Sequence, residues 1–327
     1  MKVLVTGASG FLGSHIAERL AEEGHQVRAL VRRTSDRRFL VGFPHEEAVG
    51  DVTDPASLVA ALDGVDVAVH AAGLVKARSA AQFHAVNAQG TANLLAAVDQ
   101  AAPKLRRLVY VSSLAAHGPS EDDHPRPPDA PPRPVTTYGR SKLRGEEMVR
   151  AWRGSERAVI ICPSVIYGPR DPALLPFFQL ARWRIAPLLA GGRNRVSVIY
   201  VEDAAGAIAQ AAIADADVAG KTYCLDDGNI YSWRELLAAV EEAVGRRAFR
   251  LSSPRWAFEA AALVSEAYGL LRRRAVALTR EKVLEMSQPF WVSSHEAIQR
   301  DLGWSPQVSL REGARRTAQW YRQQGWL

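Results

Sequence analysis

The segment YGRSK, residues 138 to 142, places a phenol and an amine at positions i and i+4. On a helix these positions lie one turn apart on the same face. A phenol ordinarily titrates near pH ~10, and a cation beside it favours the phenolate. The spacing therefore predicts that Lys142 draws the pKa of Tyr138 toward neutrality, where proton transfer is most effective. Such a pair also arises on helices that do no chemistry. A third hydroxyl strengthens the pattern: Ser113 closes the run YVSS, and from a strand end it could share a substrate carbonyl with Tyr138. Taken alone, a serine there is a turn former.

A second set of residues is suited to a dinucleotide. TGASGFLG, residues 6 to 13, carries Gly7, Gly10 and Gly13 between a strand-like run and a helix-like one, with Ser9 inside the turn. Glycine permits a tight turn and close backbone approach to a pyrophosphate, and a helix N-terminus offers free N–H groups. The spacing is GxxGxxG rather than GxGxxG. NAD sites generally place an acid after the second strand to hold the ribose 2′-hydroxyl. Here that strand ends in Arg32 and Arg33, which suit a 2′-phosphate and so favour NADP, with NAD also possible. The same arginines also read as solvated surface residues. Asp51, in GDVTD after a short third strand, could accept from an adenine amino group or be an ordinary turn acid.

The elements that must hold these residues follow from periodicity. KVLVTG (2–7), QVRALVR (26–32), VDVAVHAAG (65–73), LRRLVYVSS (105–113) and AVIICPS (158–164) read as apolar strands. Between them, 12–24, 54–64, 87–100 and the segment bearing Tyr138 read as helices, with Gly24 closing the first and Asp54 and Pro55 opening the second. Continuous apolar strands separated by helices predict an α/β fold, a doubly wound parallel sheet that binds ligands at the strand ends. Residues 166 to 195 read as irregular, and helices dominate from about 223. The expected division is a dinucleotide-binding domain, 1–165 plus 195–222, and a smaller, mostly helical substrate domain, 166–194 plus 223–327. The proline-dense stretch 119–134 reads as a surface loop or as a stiff rim to the site.

Apolar residues make up 47% of the 327 residues, enough for a sizeable core. Two cysteines, Cys162 and Cys224, point to a reducing compartment, and KVLVTG begins too early to leave room for a leader, so a cytoplasmic location is expected. The net charge of +6 is spread among acidic residues, which argues against nucleic acid as a partner. The apolar run 256–271 is too short to span a bilayer and carries Glu259 and Glu266.

Read in order, TGASGFLG, GDVTD, HAAG (70–73), NAQGT (87–91), YVSS and YGRSK resemble the extended short-chain dehydrogenase/reductase superfamily, with YVEDAA (200–205) and DLGWSP (301–306) resembling its C-terminal landmarks. The resemblance covers most of the chain and implies a Rossmann domain. It implies Tyr138 as general acid/base, Lys142 as its partner and a ribose ligand, and Ser113 as the hydroxyl that orients the carbonyl. It implies cofactor contacts from Phe11, Leu12, Val52, Ala71, Ala72, Gly73, Asn87, Pro163 and Val165. No metal is expected. Leu114 and Ala115 follow Ser113 where a dehydratase of the family carries an Asp-Glu pair, so that branch is discarded. Ser164 stands where sugar-nucleotide enzymes tend to place an asparagine, although Arg170, Arg193 and Arg195 remain available to anions.

Residues 254–278 are similar to the apolar insert of the 3β-hydroxysteroid dehydrogenase-like and dihydroflavonol reductase-like branches. The segment reads as ordinary packing, as a pocket wall, or as a face for peripheral membrane contact. The expected activity is an NADP-preferring oxidoreductase interconverting a secondary alcohol and a ketone on an apolar small molecule. The alternatives are a nucleotide-sugar epimerase, which retains its cofactor and consumes none, and a non-catalytic dinucleotide sensor. A homodimer is the form the resemblance implies.

Overall fold

The computed structural model describes residues 1–127, 130–189, 191–215 and 217–327. The first half alternates strand and helix: β1 (Lys2–Thr6), α1 (Phe11–Glu22), β2 (Gln26–Val31), β3 (Glu46–Val49), α2 (Pro55–Ala61), β4 (Val67–His70), α3 (Ala80–Phe83), α4 (Gly90–Ala101), β5 (Arg107–Val111), α5 (Leu114–His117), α6 (Thr137–Ala151) and β6 (Ala158–Pro163). The second half is more varied: β7 (Val165–Tyr167), α7 (Leu175–Arg182), β8 (Ile185–Leu189), β9 (Arg195–Val196), β10 (Val198–Tyr200), α8 (Val201–Ile213) and β11 (Thr222–Leu225). It ends with β12 (Tyr231–Ser232), α9 (Trp233–Val244), β13 (Phe249–Ser253), α10 (Arg255–Arg272), α11 (Arg280–Met286), β14 (Phe290–Trp291), α12 (Glu296–Leu302) and α13 (Leu310–Gln323).

Among the described residues, seven strands form one parallel sheet in the order β11-β6-β5-β4-β1-β2-β3. The strand order reverses between β1 and β4, and such a switch point opens a crevice at the carboxyl ends of the two strands. Both faces of the central strands are covered, which is why those strands are largely apolar, whereas the edge strand β3 carries the exposed Glu46 and Glu47. On one side Ile16, Ala17, Leu20, Ala204 and Ile208 from α1 and α8 pack on Val3, Val69 and Val109. On the other, Leu58, Leu94, Val98 and Val149 from α2, α4 and α6 pack on Leu4, Ala68 and Leu108.

The structure departs from the expectation that residues 166–195 are irregular: among the described residues, α7 and β8 are regular. Pro176 falls in the first turn of α7, where an absent N–H costs nothing, and Pro187 lies in β8, which pairs with β13 alone among the described residues. The helix expected at 87–100 begins earlier, through α3 and a π-turn at His84–Gln89. Asp54 sits at the N-cap of α2 with Pro55 behind it, but its side chain makes no capping bond; the Ser57 hydroxyl donates to the Asp54 carbonyl instead. In the second half, short strands among the described residues form three small sheets between the helices. No helix among the described residues is long and apolar enough to cross a membrane.

Candidate active site

The crevice is lined first by the glycine turn. Gly7 has φ +73°, and a Cβ there would lie 2.8 Å from the backbone nitrogen of Ala72. A Cβ on Gly13 would lie 2.1 Å from the Gly7 carbonyl oxygen. Glycine at these two places is what lets β1 turn against the end of β4 and lets α1 begin directly over it. The N-cap of α1 is Gly10, which brings no side chain to satisfy the first N–H groups of the helix. Those free donors at the positive end of the helix fit the phosphates of a dinucleotide. Ser9, Phe11 and Leu12 are half-buried around the turn, as are Ala71 and Ala72, whereas Gly73 is exposed.

Arg32 and Arg33 stand exposed at the end of β2, and neither has an ion-pair partner among the described residues. Neighbouring Arg37, by contrast, is bonded to Glu47. Asp51 is half-buried, and its Oδ1 accepts from both the Thr53 amide and the Thr53 hydroxyl, each at 2.8 Å. The Val52 side chain is buried against Gly90, so only its backbone remains for a ligand. Pro163 ends β6, and Val165 is exposed two residues on.

Asn87 is bonded within the protein. It is buried, its Oδ1 accepts from the Leu74 amide at 2.7 Å, and its Nδ2 donates to the Leu74 carbonyl and to Ser141 Oγ, both at 2.9 Å. The carboxamide thus ties the segment after β4 to α6. Beneath it runs a directed hydrogen-bond chain. Ala72 N–H donates to Thr6 Oγ1, which pairs with His70 Nδ1 at 2.7 Å; His70 Nε2 pairs with Thr91 Oγ1, which donates to the Asn87 carbonyl. This order requires a neutral imidazole protonated at Nε2, and burial pushes the His70 pKa down to about 3.

α6 delivers the phenol and the amine. Thr136 caps it, its side chain accepting from the Gly139 amide. Tyr138 lies half-buried with its ring centroid 6.1 Å from that of Phe83. Lys142 is 4% exposed; its Nζ donates to the Val111 carbonyl at 2.6 Å and lies 4.4 Å from the centroid of the Tyr110 ring. The same Nζ would be 3.8 Å from a Cβ on Gly73, so the amine faces the segment that borders the glycine turn.

The electrostatics differ from the expectation. Burial pushes the Tyr138 phenol up to about 12, although the Ser113 hydroxyl nearby pulls the other way. Burial lowers Lys142 to about 8. The amine is spent on Val111 and the face of Tyr110, and desolvation outweighs what the i+4 spacing alone would do for the phenol. Ser113 is half-buried at the N-cap of α5, where its Oγ accepts from the Ala115 amide at 3.2 Å.

Two features carried no sequence signal. Glu281 on α11 reaches the first turn of α6, where its carboxylate accepts from the Thr137 amide at 2.9 Å and the Thr137 hydroxyl at 2.6 Å. The contact joins positions far apart in the chain. Behind the site, Glu146 accepts from Ser112 and sits 3.3 Å from His117 Nε2, with Cys162 Sγ 3.4 Å from the same nitrogen. Burial alone would lower His117, but the bond to Glu146 and its charge outweigh that, and the pKa rises. His117, Glu146 and Cys162 are close enough to share a metal ion, yet Glu146 is already satisfied by Ser112, His117 and Arg150. Glu146 lies one turn beyond Lys142, so Tyr138, Lys142 and Glu146 make one stripe along α6.

Of the proline-dense stretch 119–134, Pro128 and Asp129 lie outside the described residues; the rest follows α5 and is tied back by Arg133 N–H donating to the His117 carbonyl.

Known proteins resemble this arrangement along nearly its whole length. A sequence model of the NAD dependent epimerase/dehydratase family matches residues 3–225. A "Ceramide reductase" from Caulobacter vibrioides is 34% identical over 99% of this chain and 96% of its own length. A "2-alkyl-3-oxoalkanoate reductase" from Stenotrophomonas maltophilia is also 34% identical, over 97% of this chain and 98% of its own. The solved structure described as gox2253 superposes with a TM-score of 0.82 at 30% identity, covering 99% of each chain. The glycine turn, the reversal of strand order beside it and these matches agree, and the chain belongs to the NAD-dependent epimerase/dehydratase family as an NAD(P)-dependent oxidoreductase of the extended short-chain dehydrogenase/reductase type.

Proposed function

We propose that this chain is an NADP-preferring ketoreductase that interconverts a ketone and a secondary alcohol on a substrate with apolar chains. The observation that carries the reading is the placement on α6 of Tyr138 and, one turn on, of Lys142, whose Nζ donates to the Val111 carbonyl and faces Gly73; burial pushes the phenol up to about 12. At neutral pH that phenol is protonated and can donate. An alkoxide is far more basic than a phenolate, so proton transfer to the oxygen of a reduced carbonyl remains downhill without any fall of the phenol toward pH 7. When bound, the dinucleotide supplies the hydride. Ser113 holds the carbonyl oxygen and Tyr138 protonates it. Lys142 fixes the depth of α6 through Val111 and presents its amine beside Gly73. Gly7, Gly10 and Gly13 cradle the phosphates, and the unpaired Arg32 and Arg33 favour a 2′-phosphate.

The apolar substrate is supported by two relatives, one named a ceramide reductase and one a 2-alkyl-3-oxoalkanoate reductase, each similar over nearly the full chain. The purified protein is expected to oxidise NADPH when given a 2-alkyl-3-oxo acid. Tyr138→Phe is expected to lower kcat by about 10²–10⁴-fold while NADPH still titrates with unchanged affinity. A dinucleotide that copurifies, with no NADPH consumed on any ketone and a nucleotide sugar epimerised instead, overturns the reading in favour of an epimerase.

A further inference from the structure

α10 is built inside out. Only Ala262 and Gly269 of its 18 residues are buried, while Trp256 is 70% exposed, Leu263 56%, Val264 71% and Leu271 81%. These four, with Ala260 and Ala267, recur at helical spacing, so the apolar stripe of the helix is continuous and faces away from the protein. The paired strands β8 and β13, which lead into α10 through Pro254, add Phe249 at 74% and Leu251 at 54% exposure. A monomeric protein rarely leaves so large an apolar surface uncovered.

The charges around the stripe are one-sided. The two carboxylates of α10 are neutralised, Glu259 by Arg255 at 2.7 Å and Glu266 by Arg280 at 2.9 Å. Arg272 ends the helix and Arg273 and Arg274 follow it, all exposed and without an ion-pair partner among the described residues. Arg272 instead lies over the ring of Tyr268, 5.8 Å from its centroid. An outward apolar stripe bearing Trp and Leu, beside a cluster of arginines, is the pattern of a helix that lies in the plane of a lipid interface. A second copy of the chain would bring no unpaired carboxylate of α10 to those arginines, whereas an anionic headgroup layer meets all three.

We infer that the outward face of α10, with the β8–β13 ribbon, docks on the surface of an anionic bilayer. The face is mechanically close to the site. Glu266 on α10 holds Arg280 of α11, and the next residue, Glu281, holds Thr137 beside Tyr138. Docking there puts the site beside the phase in which a substrate with apolar chains would reside. The inference rests on that reading for its purpose only, because its test reads lipid binding in the absence of cofactor and substrate.

The test is co-sedimentation of the full chain with vesicles of phosphatidylcholine alone and of equal parts phosphatidylcholine and phosphatidylglycerol. Binding to the mixed vesicles is expected, with Arg272→Glu/Arg274→Glu and neutral vesicles each weakening it steeply; an arginine near an anionic surface is worth roughly fivefold, and three on the order of a hundredfold. Val264→Glu, at a solvent-facing position, is expected to abolish binding while circular dichroism and melting temperature stay unchanged. The inference is overturned if the wild type binds neither vesicle, or binds both equally. It is also overturned if light scattering finds a dimer that Val264→Glu splits, because the stripe is then covered by a second copy.

Discussion

At the scale of residues, the buried amine of Lys142 carries a cost. In an unfolded chain a lysine titrates near ~10.4, and here burial lowers it to about 8. Between those values the unfolded chain holds the extra proton, so stability rises with pH; below about 8 the charged amine weighs on the fold in full. Lys142→Met is therefore expected to melt higher than wild type near pH ~6.5 and to lose most of that advantage near pH ~9.5, with turnover abolished. A variant that melts lower than wild type at both pH values would show that the Val111 carbonyl needs its donor more than the core resents the charge. Arg32→Ala with Arg33→Ala is expected to raise KM for NADPH about 10–100-fold and leave KM for NADH within about twofold, since charge-assisted hydrogen bonds are worth roughly 1.5–3 kcal/mol. Equal losses with both dinucleotides would remove the 2′-phosphate assignment. The types and spacing of Ser113, Tyr138 and Lys142 were legible in the sequence because the i+4 relation is local. The direction of the phenol's shift was not, because it comes from burial among parts distant in the chain, including Phe83 and α11.

At the scale of elements, the turn between β1 and α1 is set by two contacts that admit no side chain. Gly13→Ala would put a methyl 2.1 Å from the Gly7 carbonyl oxygen, where only backbone could yield. Isothermal titration should show at least tenfold weaker dinucleotide binding, or the chain should fail to fold. Gly24→Ala supplies the contrast: φ is +82° but nothing lies within 4 Å, so the cost is about 1–2 kcal/mol of backbone strain, read as a lower melting temperature with unchanged KM. Wild-type binding by Gly13→Ala would remove the close approach from the account. The alternation of apolar strands with helices made the parallel sheet readable in advance. Residues 166–195 were not readable, because Pro176 and Pro187 resemble breakers and only their positions, first turn of α7 and edge strand β8, make them compatible with regular structure. Asn87 was found by motif, but its tie to Leu74 and Ser141 needed the folded neighbours.

At the scale of the molecule, the C-terminal segment is part of the central core. Ile298 and Trp304 pack in the cluster that holds Val3 and Ile16, the Asp203 carboxylate accepts from the Gln307 and Val308 amides, and Tyr321 donates to the Asp171 carbonyl. Calorimetry is expected to give one transition that moves upward with added NADP, by about 2.7 kcal/mol of stability at a hundredfold excess over Kd. Two separated peaks would show that the parts melt independently. The sheet also has a consequence for how the chain is born. β6 takes β11 as its outer neighbour, with Cys162 opposite Cys224, yet everything from Ser164 to Lys221 must be synthesised between them. At ~5–20 residues per second, a hydrophobic strand edge stays unpaired on the ribosome for several seconds. Synthesis speed through β7, α7 and α8 therefore sets how long the nascent chain is open to aggregation, and codon changes confined to that stretch should alter soluble yield without altering one residue of the finished protein.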